Sequence, residues 1–277
     1  MKNFIKLVRF EFNRVAPIYG GLAVLTLLIQ IVGVFVATNR YLSSVSDLKQ
    51  MGVLNDSAIT SDIGKMGMMR YINTLWFLGP ISFCTAALLI YSLFIWYRDW
   101  FGKNTFIYRL LMLPTQRLNI LLSKVITIFL MVLGLVAFQI LLLHIESNLF
   151  QLLLPKAYFT YSNVNQIVRG SYYLSIFYPA SGIVFFSRYS QGLLGLLVVS
   201  TVILLERSYK IKGMVMGGCY AVLVLFLFAI PYLLQIVDSP YYLFASEIFW
   251  ISLALTVVIS AVSIWISHYL LNKKVTV

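Results

Sequence analysis

Charge is scarce in this chain, and acid is scarcest: 277 residues hold 9 Asp and Glu against 21 Lys and Arg, and charged residues make up 11%. A soluble domain carries about 25% charged residues. The deficit, with 61% hydrophobic residues and a mean hydropathy of +0.90, excludes a soluble globular fold and points to an integral membrane protein. The two cysteines, Cys84 and Cys219, lie far apart inside apolar runs. They read as small buried hydrophobes, not as a disulfide framework or a thiolate metal site. No HExxH, GxSxG or GxxxxGK[ST] pattern occurs, so no zinc-protease helix, nucleophile elbow or phosphate loop is expected. The first 15 residues carry four basic side chains and no uninterrupted apolar core, unlike a cleavable signal peptide. The net charge of +12 does not imply nucleic acid, because the basic residues cluster beside apolar runs, as topology signals and contacts to anionic lipid do.

What the chain has is apolar length. Crossing ~30 Å of hydrocarbon takes roughly 20 mostly apolar residues. Five runs qualify, at about 16–37, 71–97, 120–145, 214–237 and 247–270. The stretch 171–205 is interrupted by Arg188 and reads as one span near 184–205 preceded by a partly embedded segment. Six spans with both termini inside place 14 of the 21 basic residues and three of the nine acids on the cytoplasmic side, as the positive-inside rule asks. The longer outside loops are then 38–70 and 146–183. The sequence thus predicts an all-α integral membrane protein, one domain over 1–277, in a cell membrane. Pro231 is expected to kink the fifth span, and GMVMG at 213–217 fits close helix packing.

Ionisable residues inside spans are costly and mark function, and few stand out here. His144, Glu146, His268, Glu247 and Asp238 fall near span ends and read as interfacial. His144 and Glu146 are two apart on a helix and face different ways, which argues against a shared proton or metal site. No catalytic, cofactor-binding or metal-ligating set emerges.

Two cytoplasmic segments are not simple tails. In KNFIKLVRFEFNR, residues Phe4, Val8, Phe12 and Val15 recur at helical spacing opposite Lys2, Lys6 and Arg9. This is an amphipathic helix of the kind that lies in the interface, and Pro17 is expected to separate it from the first span. Between the second and third spans, residues 97–124 carry five basic side chains against Asp99. Within them Phe106, Ile107, Leu110 and Leu111 form one short apolar face, flanked by Lys103 and Arg109. Gly102 frees the chain to turn, and Pro114 closes the segment.

This arrangement resembles the ABC-2 type permeases, the membrane subunits of bacterial ABC exporters. The likeness rests on the N-terminal helix, on YRDWFGKNTFIYRLLMLPTQR after the second span, and on LLERSYKIKGMVMGG between the fourth and fifth. The resemblance implies an elbow helix at 1–15 (Phe4, Val8, Phe12, Val15) and a coupling helix whose residues Gly102, Lys103, Phe106, Ile107, Arg109, Leu110 and Leu111 seat in a separate ATPase. It also implies a paired second permease subunit, identical or related, in the bacterial cytoplasmic membrane. ATP and Mg would be bound by the ATPase and no cofactor by this chain, which would be a non-catalytic permease. Amphipathic substrates, peptide toxins or antimicrobials among them, are the implied cargo. A passive channel or membrane scaffold, and a membrane-embedded enzyme, are the other classes the residues leave open. For a substrate route lined by aromatic and small polar groups, the candidates are Trp76, Phe83 and Tyr91 on the second span and Tyr220 on the fifth.

The sidedness has a direct check. Single cysteines placed within 43–61 should react with an impermeant maleimide from outside, and those within 104–116 should not. Outside labelling of a Tyr209→Cys variant would overturn the six-span arrangement in favour of seven.

Overall fold

A computed structural model describes residues 2–53, 55–100, 112, 116–237 and 244–274. Its long helices follow the apolar runs because a backbone in hydrocarbon must satisfy its polar groups internally. In chain order the described helices are α1 (Lys2–Gln50), α2 (Asp56–Ile63), α3 (Met68–Tyr71), α4 (Leu75–Trp100), α5 (Leu118–Leu153), α6 (Val164–Gly170), α7 (Tyr172–Phe177), α8 (Gly182–Tyr209), α9 (Ile211–Val237) and α10 (Ala245–Lys273). Six of them, α1, α4, α5, α8, α9 and α10, are long and apolar enough to cross a membrane. This is a multi-pass, all-helical membrane protein, and 182–209 is a single helix with Arg188 inside it.

Two expectations about α1 and the outside loops change. The helix runs through Pro17 without interruption, so residues 1–15 are not a separate element. A proline costs one backbone hydrogen bond, which a long membrane helix tolerates. At 49 residues, α1 is about 74 Å long and takes in the first third of the expected 38–70 loop. That loop and 146–183 are also largely helical and pack on one another.

The residues group into two compact units. One comprises Met1–Arg14, Leu89–Leu130 and Ile183–Val277, and the other Val15–Leu88 and Met131–Gly182.

In the second unit, Val34, Tyr41, Tyr71, Phe77, Leu143 and Phe150 form a buried core. The Tyr71 and Phe150 rings meet edge-on at 5.3 Å. The connecting segments are stapled by two strand-like bonds, Met66 N–H to the Tyr158 carbonyl and Thr160 N–H to the Met66 carbonyl, each 2.9 Å. Gly67 permits this approach, since a Cβ there would lie 2.6 Å from the Thr160 carbonyl oxygen. The Tyr158 hydroxyl donates to Asp56 and holds that carboxyl below the usual carboxylate range, assisted by Lys49.

In the first unit, small hydroxyl residues seam the helices together. Thr201 on α8 shares a 2.9 Å hydrogen bond with Ser267 on α10, and Tyr220 on α9 shares one of 2.6 Å with Ser263. Such residues suit membrane interfaces because their self-bonded hydroxyls let backbones approach. The α8–α9 turn is tight. Lys210 adopts φ +54°, a conformation that costs a non-glycine residue about 1–2 kcal/mol. A Cβ on Gly213 would sit 1.9 Å from the Leu205 carbonyl oxygen, and one on Gly217 would sit 3.0 Å from a Val202 methyl. The GxxxG pattern is therefore a packing device. Cys84 is buried as expected, whereas Cys219 lies on the exposed side of α9.

Gly213→Ala is expected to lower the unfolding midpoint in detergent, at a cost of about 1–3 kcal/mol from overpacking against backbone. Gly218→Ala, which meets nothing within 4 Å, should be neutral or slightly stabilising. Equal midpoints for the two variants would contradict the close α8–α9 approach.

Candidate functional site

The densest polar chemistry lies in the first unit, where α1, α4 and α5 converge. Lys124, near the start of α5, has no solvent-exposed surface, and neither does Asp99; Glu11 is 2% exposed. The Lys124 ammonium donates to Glu11 Oε1 at 2.9 Å, to the Ile95 carbonyl at 3.1 Å and to Asp99 Oδ2. An ammonium has three donors, and all three are used. Arg14 donates to the other Asp99 oxygen at 2.8 Å, and Arg98 to the other Glu11 oxygen at 3.1 Å. Three cations thus surround two carboxylates and leave every carboxylate oxygen bonded. That is the condition under which burying charge becomes tolerable.

Aromatic rings complete the setting. Lys124 Nζ lies 5.4 Å from the centre of the Trp96 ring, and the Trp96 indole N–H reaches Ser200 Oγ on α8 at 3.1 Å. The next residue, Tyr97, bonds Glu206 at 2.5 Å, and Arg207 stacks over the Tyr97 ring at 4.8 Å. At the start of α5, Arg117 donates to the Leu271 carbonyl of α10 at 2.6 Å. The end of α4 and the start of α5 are therefore fastened to α1, α8 and α10. With the Lys124 ammonium and all four carboxylate oxygens paired, and Arg98 Nε the one buried donor of the group left over, the cluster is suited to holding helices together.

The other anticipated site residues are distributed as follows. The coupling residues Gly102, Lys103, Phe106, Ile107, Arg109, Leu110 and Leu111 lie outside the described residues. On α1, Val15 is buried and Phe4, Val8 and Phe12 are half-buried. The buried side of that turn also includes Leu7 and Glu11, so the amphipathic face has an acid at its centre. Of the proposed substrate-path aromatics, Trp76 and Phe83 share one groove of about 540 Å³ in the second unit, with Leu25, Ile29 and Pro80. They meet there because they are seven residues, two turns, apart on α4. Tyr91 and Tyr220 belong to the first unit. Tyr91 packs under the Arg98 guanidinium at 5.9 Å, and Tyr220 fastens α9 to α10.

Position near a span end gave no sign that several ionisable residues are buried within the protein. Glu11, Asp99 and Lys124 are interior, and so is Glu146, with no exposed surface, while His144 is on the exposed side of the same helix. A signal was present: Glu11 interrupts the apolar face of the N-terminal helix, and Lys124 interrupts the run LLSKVIT. Among the described residues, no three His, Cys, Asp or Glu converge to hold a metal ion. No family model, curated protein or solved structure matches this chain.

Lys124→Met should cost about 3–5 kcal/mol of unfolding free energy, because two buried carboxylates lose a shared partner. Combining it with Asp99→Asn should cost clearly less than the sum of the two single changes in a double-mutant cycle. A Lys124→Met protein within about 0.5 kcal/mol of the parent, as for a surface change, would contradict the cluster.

Proposed function

We propose that this chain is the permease subunit of an ATP-driven exporter in the bacterial cytoplasmic membrane, moving an amphipathic substrate. Energy would come from a separate ATPase that binds ATP and Mg, with a second permease subunit alongside. The observation that carries this reading is the buried ion cluster around Lys124. It grips the end of α4 and the start of α5, which flank the basic and apolar sequence 101–111, and ties both to the N-terminal part of α1. A passive pore gains nothing from fastening the flanks of one cytoplasmic segment so firmly. A subunit pushed from below does, because a push on that segment reaches the spans only if its two roots move together.

In this reading the face Phe106, Ile107, Leu110 and Leu111 seats in a groove of the ATPase, with Arg109 and Lys103 contacting its surface and Gly102 setting the turn. Burial of one large apolar side chain gives about 1.5–3 kcal/mol, so two or three suffice for a coupling contact. The turn of α1 bearing Phe4, Val8, Phe12 and Val15 acts as the elbow, held to α4 and α5 through Glu11. The groove at Trp76 and Phe83 is apolar and of a volume typical of small-molecule sites, which suits an amphipathic cargo better than an ionic one. Peptides are the cargo class favoured by the resemblance.

Co-purification with a tagged ATPase from the same source tests the assignment. Phe106→Asp or Leu110→Asp should insert normally yet lose ATPase binding or ATP-driven export. Trp76→Ala or Phe83→Ala should alter export while ATPase binding persists. If both aspartate variants still bind the ATPase and export normally, the segment rests on lipid headgroups and the coupling assignment fails. If the chain reconstituted alone conducts passively, the channel reading replaces it.

A further inference from the structure

The second unit contains a buried acid that the transport reading does not use. Within it α1 and α5 run in the same direction: the Tyr19 hydroxyl abuts Gly134, and eleven residues on, Gln30 pairs with Gln139. The two amides exchange hydrogen bonds at 3.4 and 3.2 Å. Gln30 also donates to the Phe77 carbonyl at 3.2 Å, and its own carbonyl accepts from the Tyr71 hydroxyl at 2.7 Å. About two turns further, α1 carries Thr38, 3% exposed, and α5 carries Glu146, with no exposed surface. From the Gln30–Gln139 pair, Thr38 lies eight residues on along α1 and Glu146 seven along α5, rises of about 12 and 10 Å at about 1.5 Å per residue. There the pairing stops. Both Glu146 carboxyl oxygens and Thr38 Oγ1 are buried without a hydrogen-bond partner among the described residues.

Glu146 shares its face of α5 with the fully buried Leu143 and Phe150. Among the described residues no counter-ion pairs with it. From α3 it faces Tyr71, whose hydroxyl is committed to Gln30. On the other elements packed here, Tyr41 bonds the Gly64 carbonyl, Tyr158 and Lys49 bond Asp56, and Arg70 bonds the Ile63 carbonyl. Arg40, Asp47, Asp62, Lys65, Lys156, Arg169 and His144 are exposed. An ionised carboxylate in such surroundings, without partner or water, is too costly to persist. A hard metal cation needs six or more oxygens, and the carboxyl and one hydroxyl fall far short.

We propose that Glu146 is a proton-binding site: it stands as a neutral carboxylic acid in the core of the second unit. Thr38 Oγ1, the other unpaired buried oxygen on these two helices, could accept the acid's hydrogen bond through one water. Loss of the proton leaves an unanswered charge among Leu143, Phe150 and Tyr71, so the unit is secured by a proton and loses that stability as pH rises from the ordinary carboxyl range through the site's own midpoint. This assignment does not depend on the transport reading.

Dicyclohexylcarbodiimide applied to the intact protein in native membranes provides the test. The carboxyl O–H adds across one C=N bond of the reagent, and the acyl group then migrates from oxygen to nitrogen. The stable N-acylurea keeps every atom of both partners. At neutral pH the Glu146 peptide should carry the adduct, while a water-soluble carbodiimide should leave it unmodified. Above the site's titration midpoint, labelling should fall about tenfold per pH unit. Relative to Glu146→Gln, the unfolding midpoint of the parent protein should fall as pH rises from the ordinary carboxyl range to the site's own midpoint and level off above it. Absence of the adduct at neutral pH, parallel pH profiles for parent and variant, or protection of Glu146 by sodium but not by choline at fixed pH would each overturn the proton assignment. The labelling arm uses the parent protein and stands whether or not the glutamine variant folds.

Discussion

The first unit depends on one ammonium group. Lys124 is wholly buried, yet its three N–H bonds end on Glu11, Asp99 and the Ile95 carbonyl, and Arg14 and Arg98 close the remaining carboxylate valences. Buried ion pairs repay their desolvation only when geometry and hydrogen bonding are complete. Here every carboxylate oxygen and every ammonium hydrogen is bonded, and Arg98 Nε is the buried donor left over. The cluster also has specificity, because a lysine on α5 selects α1 and α4 as neighbours by charge. Apolar contacts alone distinguish poorly between similar helices in lipid, where the solvent is as apolar as the side chains.

Elsewhere the same difficulty is met without charge. Thr201 with Ser267 and Tyr220 with Ser263 fasten α8, α9 and α10 by hydroxyl pairs. Gln30 with Gln139 joins α1 to α5 by an amide pair. Each places a polar contact at one height on each helix, which sets axial register. The large exposed side chains along α4, α9 and α10, such as Leu89, Phe94, Phe226 and Trp265, suit contact with acyl chains.

The six spans were legible in the sequence because an apolar run of sufficient length needs no tertiary context. The single fourth span was legible as well, despite Arg188, because charge sidedness decided it. The ion cluster was not. Glu11, Asp99 and Lys124 each stand near the end of an apolar run, where a charge normally lies at the interface, and their pairing spans up to 113 residues of chain. Distance in sequence hid the partner, and without a partner each looked solvated. The continuity of α1 was missed for a local reason: Pro17 is a valid break signal in water and a weak one in a membrane helix. Trp76 and Phe83 were picked as aromatics of the second span, and the groove they share was not read from the sequence, while nothing local to Tyr91 or Tyr220 set them apart from ordinary packing.

The turn between α8 and α9 bears on how the chain enters the bilayer. With Lys210 alone between the two helices and Gly213 against the Leu205 carbonyl, neither arm has slack to wait for the other. Arg207, Lys210 and Lys212 crowd the bend, and a cluster of positive charge resists translocation. With both termini inside, as charge sidedness asks, such a bend would favour the two helices crossing as one hairpin. The hydroxyls of α8 that later meet α10 would travel already bonded to their own helix, as Thr201 is to the Leu197 carbonyl at 2.8 Å, so they enter hydrocarbon with their polarity already masked.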